Sequence, residues 1–120
     1  MEKPARDNIV VTKSYASAFR IVKAYQYLTK VKHEFVLSHQ LLRSGTGIGA
    51  NVREGVSAQS RKEFISKLNI ALKEAHESDY WISLLRDGGY FTIKESISLL
   101  RDADELIRLL TAIIKSSKKS

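Results

Sequence analysis

Three glycines alternate at positions 45, 47 and 49, inside a stretch whose other residues have helical spacing, and no other feature constrains the fold as strongly. An interior glycine lowers helix stability by about 1 kcal/mol relative to alanine, so three of them imply close packing. A helix would place a set of mostly small and polar residues on a single face. That set comprises Gln40, Ser44, Gly47, Asn51, Glu54 and Ala58. We predict that a neighbouring backbone approaches this face at Gly47.

Two charged residues border the same face. Arg43 and Glu54 are eleven residues apart, close to three helical turns, which predicts that they lie over one another and pair. The opposite side of the helix is apolar and includes Leu41 and Ile48. The pattern favours a packing surface over a ligand site. The packing partner is either the core of the same chain or a second subunit.

The glycine spacing also fits a nucleotide-binding pattern. Gly45-x-Gly47-x-x-Ala50 matches the loose form of the dinucleotide fingerprint, in which glycines admit a pyrophosphate at the start of a helix. That fingerprint requires a strand before and after it, and neither flank has strand-like periodicity. We therefore predict no bound cofactor.

Apolar periodicity along the whole chain predicts four helices, at about residues 8–32, 37–57, 61–86 and 93–115. Ser60-x-x-Glu63 and Thr92-x-x-Glu95 have the form of capping boxes before helices three and four. A glycine in the left-handed conformation at 88–89 would end helix three. Because all three connections are short, neighbours must be antiparallel. The predicted fold is all-α, an antiparallel up-down-up-down four-helix bundle.

The predicted helices have broad apolar faces. Helix one would bury Val11, Tyr15, Ala18, Val22, Tyr25 and Leu28, and helix three would bury Phe64, Leu68, Ala71, Ala75, Ser78, Ile82 and Leu85. The apolar face of helix four, from Leu99 to Ile114, is wide enough to serve both the core and a second subunit. We therefore expect a homo-oligomer held together by the helix-two face and the helix-four face.

Composition indicates one helical domain spanning residues 1–120. The hydrophobic fraction is 43%, with one proline and no cysteine, which suits a modest core and excludes disulfides and thiolate metal sites. The chain opens with polar residues, and no apolar run approaches the roughly 20 residues of a membrane span. We expect a soluble cytoplasmic protein with no membrane contact.

Basic residues are in excess over acidic residues mainly in the N-terminal half of the chain. The net charge is +7, and residues 1–60 hold nine Lys and Arg against four Asp and Glu. No acidic residue lies between Asp7 and Glu34. Residues 115–120 form a second basic segment, with Lys115, Lys118 and Lys119, which we predict to be a frayed tail that adds to nucleic-acid affinity.

Four cations and a tyrosine of helix one lie within an arc of about 100° on an ideal wheel. They are Lys13, Arg20, Lys23, Lys30 and Tyr27, which we call the basic stripe. Cations can follow a phosphate backbone, and an aromatic ring beside them can stack on a base. We predict that the basic stripe, free of acidic neighbours, binds RNA or DNA. A solvated helix face is the alternative.

The sequence from about residue 9 to 115 resembles a bacterial family. The signature residues are Gln40, Arg43-Ser44, Ile48, Asn51-Val52 and Glu54-Gly55, followed by Ser60, Glu63-Phe64, Lys67-Leu68, Ile70-Ala71, Lys73-Glu74-Ala75, Glu77-Ser78, Tyr80-Trp81 and Leu84-Leu85. They are similar to those of four-helix-bundle proteins encoded in intervening sequences of 23S ribosomal RNA genes. Those proteins resemble in turn the accessory variability proteins of diversity-generating retroelements, which are basic pentamers that bind nucleic acid and a reverse transcriptase. The resemblance implies the bundle fold and, for function, a homopentamer that binds nucleic acid.

No catalytic or metal-binding constellation is recognisable. A Glu-x-x-His pair is absent, the three histidines are scattered, and no Gly-x-Ser-x-Gly elbow occurs. We predict a non-catalytic, homo-oligomeric nucleic-acid-binding protein, with RNA the favoured ligand. One alternative is a protein-interaction scaffold whose basic stripe meets an acidic protein partner. Another is an unrecognised ribonuclease.

Overall fold

The computed structural model describes residues 5–119, with side chains from Asp7 onward. Residues 1–4 and 120 of the predicted domain and tail lie outside the described residues. The chain forms α1 (Ala5–Lys30), α2 (Leu37–Val56), α3 (Arg61–Asp87) and α4 (Ile93–Lys118), and no strand occurs within residues 5–119. Each helix packs against the next, and α4 also packs against α1. The prediction of an antiparallel four-helix bundle is confirmed.

Local signals fix both ends of α3 and the start of α4, although of the two predicted capping boxes only the one at α4 is complete. The Thr92 hydroxyl accepts the Glu95 N–H at 3.1 Å, and the Glu95 carboxylate accepts the Thr92 N–H at 2.8 Å, which completes the capping box of α4. The Ser60 hydroxyl accepts the Glu63 N–H at 3.1 Å at the start of α3. After α3 the chain turns through Gly89, whose φ is 85°.

The start of α2 depends on a carboxylate that lies in the preceding turn. Glu34 accepts N–H hydrogen bonds from Val36, Leu37 and Ser38 at 3.3, 3.1 and 2.7 Å. The Ser38 hydroxyl donates to the Glu34 carbonyl at 2.7 Å. Burial by itself raises the pKa of Glu34, but the hydrogen bonds from Ser38, Leu37 and Val36 outweigh it and hold the pKa below its ordinary value. Glu34 therefore performs the capping role that Ser or Asp has in most helices.

Two apolar clusters fill the two halves of the bundle. One comprises Val10, Ile48, Val52, Leu68, Ala71, Ala75, Leu106, Leu110, Ile113 and Ile114, and the other comprises Ile21, Leu28, Leu41, Ile82, Leu85, Phe91 and Leu99. Between the clusters each helix contributes a small buried side chain, namely Ser17, Ser44, Ser78 and Ala103. The Ser78 hydroxyl donates to the Ser44 hydroxyl at 2.9 Å, so these two buried hydroxyls are hydrogen-bonded to each other across α2 and α3.

The buried face of α1 differs from the predicted one. The residues that face the core are Asp7, Val10, Ser14, Ser17, Ile21 and Leu28. Tyr15, predicted to be buried, is 59% exposed, and Val11 and Val22 are only partly buried. The prediction was wrong because Ser14 and Ser17 occupy core positions of α1 that a pattern of apolar residues does not mark. Ser14 is small enough to lie against α2, and its hydroxyl donates to the Val11 carbonyl at 3.2 Å.

The predicted frayed tail is also wrong for the residues described. Helix α4 continues to Lys118, because Ile113, Ile114 and Ser117 are buried at this end of the bundle. Lys115 and Lys118 therefore project from an ordered helix.

Candidate nucleic-acid interface

The N-terminal half of the basic stripe is paired with acids of α4. The Lys13 ammonium lies 3.2 Å from the Glu105 carboxylate. Arg20 forms an ion pair with Asp102 and donates to the Ser98 hydroxyl at 2.5 Å. The prediction that the stripe has no acidic neighbours is wrong here. Helix α1 itself carries no acid beside these residues, but the antiparallel packing of α4 brings two.

The C-terminal half of the stripe is different. Lys23 and Lys30 are exposed, and no acidic side chain within residues 7–119 forms an ion pair with either. The Lys23 ammonium lies 5.4 Å from the centre of the Phe19 ring, and the Lys32 ammonium lies 5.9 Å from the centre of the Tyr27 ring. Cations and aromatic rings therefore alternate along the last three turns of α1, and these cations keep charge that α4 does not neutralise.

A groove between α1 and α4 is lined by Arg20, Lys23 and Tyr27 of the stripe, whereas Lys30 lies outside it. Its volume is about 570 Å³, and it is lined mainly by apolar groups. Three aromatic rings contribute, from Phe19 and Tyr27 of α1 and from Phe91, which is buried just before α4. Lys23 and Lys94 line it from the two helices. We call this feature the α1–α4 groove.

Three polar side chains that line the α1–α4 groove, Arg20, Ser98 and Glu95, form hydrogen bonds within the protein. Arg20 and Ser98 are hydrogen-bonded to each other at the end nearest Asp102. Glu95 lines the groove as well, and its carboxylate accepts the Thr92 N–H in the capping box. The groove therefore presents aromatic surface and cations more than free hydrogen-bonding groups.

Two residues of the groove were missed by the sequence reasoning. Phe19 lies four residues before Lys23 and eight before Tyr27, so the stripe's own spacing could have included it. Lys94 could have been found only from the topology, because antiparallel helices joined in this order bring the end of α1 beside the start of α4. Both residues are exposed enough to contact a ligand: Phe19 is 54% exposed, and Lys94 is exposed.

The face of α2 that carries Gln40, Arg43, Ser44, Gly47, Asn51 and Glu54 lies against α3 of the same chain. Ser44 is hydrogen-bonded to Ser78 in the small-residue layer. Arg43 forms an ion pair with Glu77 and lies 3.5 Å from the Glu74 carboxylate. The Trp81 indole N–H donates to Glu77 at 3.1 Å. These signature residues therefore fix α2 on α3, and this part of the face is not left open for a second subunit.

Two details of that face differ from prediction. Glu54 pairs with Lys67 at 3.0 Å and not with Arg43, because three helical turns separate the two α2 residues by about 16 Å, beyond side-chain reach. A Cβ atom on Gly47 would lie 3.3 Å from the Glu74 side chain, so no backbone approaches there. Asn51 donates to the Gly47 carbonyl within α2 at 2.8 Å.

Glu74 of α3, which faces Arg43 and Gly47 of α2, is subject to opposing effects on its pKa. Burial raises its pKa, Arg43 lowers it, and the neighbouring Glu77 carboxylate raises it again. The net effect is a pKa above the ordinary value. Arg43 holds two carboxylates near one another, which accounts for its place in the signature as a structural residue.

Two further geometric findings concern residues 5–119. None of the helices is both long and apolar enough to cross a membrane. No three His, Asp or Glu side chains in this part of the chain are grouped so that they could hold a metal ion.

Comparison with known proteins decides the family. The profile of the family described as 23S rRNA-intervening sequence protein matches residues 6–112. The chain belongs to this family. A similar solved structure is that of a protein with unknown function from the S23 ribosomal protein family of Bacteroides thetaiotaomicron. It is 52% identical in sequence to this chain, with a TM-score of 0.90, and the match covers 92% of this chain and 98% of that one. No curated protein matches.

Proposed function

We propose that this protein is a non-catalytic, homo-oligomeric nucleic-acid-binding protein of the cytoplasm, with RNA as the favoured ligand. The observation that carries the proposal is the unneutralised half of the basic stripe. Lys23 and Lys30 are exposed beside Tyr27, and Lys94 adds a further cation from α4. Lys13 and Arg20 contribute less, because Glu105 and Asp102 already neutralise them.

Phosphate contacts explain why such a surface would bind without sequence preference. Cations that neutralise phosphates release counterions, which supplies most of the affinity of non-specific complexes. These contacts position a nucleic acid but do not read its bases. The net charge of +7 adds a long-range attraction that accelerates association.

Self-association, with five subunits as the expected number, is the second part of the proposal. The α2 face and the α4 face, which were expected to join subunits, pack largely within the same chain. The proposal of self-association is therefore supported by a different surface. Tyr80 and Leu84 of α3 are exposed one helical turn apart and form a short apolar strip, whereas Ile70, also exposed on this side of the helix, is separated from them by Lys73 and Glu77. An exposed apolar strip of this kind favours contact with another subunit. A ring would repeat the basic surface and multiply a weak contact by avidity.

Binding of a fluorescently labelled single-stranded RNA, followed by anisotropy at low salt, tests the proposal. The variant Lys23→Glu/Lys30→Glu/Lys94→Glu should lose at least tenfold in affinity. The matched control, Arg53→Glu/Lys62→Glu/Arg108→Glu, makes the same charge change at exposed positions of α2, α3 and the second half of α4 that do not line the groove, and should lose much less. Equal losses in the two variants would show that only net charge matters and would remove the stripe from the mechanism.

The alternative, a scaffold with an acidic protein partner, makes a different prediction. The purified protein would then carry no nucleic acid, and the ratio of absorbance at 260 and 280 nm would be that of protein alone. A raised ratio that falls after a high-salt wash supports the nucleic-acid proposal.

A further inference from the structure

We propose that the α1–α4 groove selects single-stranded nucleic acid by stacking bases on Phe19 and Tyr27. The inference rests on the proposed function and extends it from phosphate binding to the strand state of the ligand. It begins from the position of Phe19, whose ring is 54% exposed and, unlike the similarly exposed Tyr15, lines a groove together with Tyr27 and Lys23. An aromatic ring in that position favours a ligand with a flat apolar face.

The spacing of the groove suits a single strand. Phe19 and Tyr27 are eight residues apart on one helix, so about 12 Å separates them along the axis. This distance covers a few nucleotides of a strand. Each ring has an ammonium group near it, Lys23 at 5.4 Å from the Phe19 centre and Lys32 at 5.9 Å from the Tyr27 centre. These are cation–π contacts, so a base would stack on the open face of a ring or displace the ammonium group, which a flexible lysine side chain could then turn towards a phosphate.

Charge favours a nucleic acid over an apolar protein partner. Lys23 and Lys94 line the groove from opposite helices, and the acid among the lining residues, Glu95, is held in the capping box of α4. Arg20 and Ser98 are hydrogen-bonded to each other, so the polar groups that remain for a ligand are mainly the Lys23 and Lys94 side chains and the Tyr27 hydroxyl. Stacking with little base readout is the arrangement of sequence-tolerant single-strand binders.

A duplex cannot use the rings. Its bases are stacked on each other inside the helix, so it could meet only the cations at the rim of the groove. Any difference in affinity between a single strand and a duplex should therefore depend on Phe19 and Tyr27. The cations should contribute to the affinity for both. This separation makes the inference testable apart from the proposed function.

The test measures the affinity of each protein for a labelled 12-nucleotide RNA and for the same sequence as a duplex. The proteins compared are the parent, Phe19→Ala/Tyr27→Ala, and Tyr15→Ala as a control at an exposed aromatic residue. The parent should bind the single strand at least tenfold more tightly than the duplex, since stacking on one ring is typically worth this factor or more. The double variant should lose that preference while its duplex affinity and salt dependence stay unchanged, and Tyr15→Ala should behave as the parent. Circular dichroism of the variants checks that the helices are intact.

Other outcomes overturn the inference in distinguishable ways. Equal, salt-dependent affinity of the parent for single strand and duplex leaves the proposed function standing and removes stacking. Absence of binding to either RNA removes both proposals. Binding of an acidic amphipathic peptide that is lost in Phe19→Ala/Tyr27→Ala, with no binding of RNA, assigns the groove to a protein partner.

Discussion

Gly45 of α2 lies so close to Ile21 of α1 that a Cβ atom on the glycine would come within 2.7 Å of the Ile21 Cγ2 methyl. Two positions later the environment is different, because a Cβ on Gly47 would meet only the Glu74 side chain at 3.3 Å, and that side chain can move. The alternating glycines therefore have unequal roles. Gly45 is required by the packing of α1 on α2, and Gly47 is not.

The first prediction compares these two glycines. Gly45→Ala should lower the free energy of unfolding by about 1 kcal/mol or more, since overpacking costs about 1–3 kcal/mol and exceeds the gain in helix propensity. Gly47→Ala should leave stability unchanged or raise it by up to about 1 kcal/mol. Urea unfolding of the two variants measures both effects. Equal destabilisation by the two substitutions would contradict the assignment.

The second prediction concerns the carboxylate at the start of α2. Glu34→Ala should destabilise the protein by about 1–2 kcal/mol at neutral pH, because it removes the acceptor of three N–H groups. The folded state holds the pKa of Glu34 below its ordinary value. Its contribution is therefore complete above the ordinary glutamate pKa and is lost as pH falls through the folded-state pKa.

Thermal unfolding at neutral pH and at about pH 3 measures this dependence. The difference between the parent and Glu34→Ala should shrink on acidification. Glu63→Ala is the control, since the Glu63 side chain is exposed and its backbone N–H, not its carboxylate, makes the cap hydrogen bond. A difference between parent and Glu34→Ala that stays constant with pH would show that the carboxylate charge does not matter.

Much of the fold follows from sequence, because helical periodicity, capping residues and short turns act locally. The buried face of α1 could not be assigned correctly, since Ser14 and Ser17 are buried by close approach of neighbouring helices and not by their own hydrophobicity. The candidate site was found only in part for a similar reason. The spacing on α1 located the cations, but the pairing of Lys13 with Glu105 depends on how α1 and α4 are aligned.

The third prediction uses that alignment. Asp102→Asn/Glu105→Gln should free Arg20 and Lys13 from their ion pairs and extend the binding surface along α1. Affinity for single-stranded RNA should rise, and the slope of log affinity against log salt should steepen by about 1.4, from two further phosphate contacts at about 0.7 each. Asp87→Asn/Asp104→Asn, which makes the same charge change elsewhere, should leave the slope as in the parent. A steeper slope in both variants would point to net charge alone.

The fourth prediction concerns assembly. Light scattering of the parent should give a mass near five times the 13.6 kDa of one chain. Tyr80→Glu/Leu84→Glu places charge on the exposed strip of α3 and should lower that mass without loss of helical content. His76→Glu, on the same helix but outside the strip, should not change it. A parent mass of one chain at micromolar concentration would refute self-association.

The salt dependence of RNA binding tests the central claim most directly. If Lys23, Lys30 and Lys94 of one subunit each neutralise a phosphate of a single strand, log affinity should fall against log salt with a slope of about −2, or more steeply if several subunits bind together. The same slope should move towards zero in Lys23→Glu/Lys30→Glu/Lys94→Glu. A slope near zero in the parent, or an unchanged slope in that variant, would contradict binding through the C-terminal half of α1.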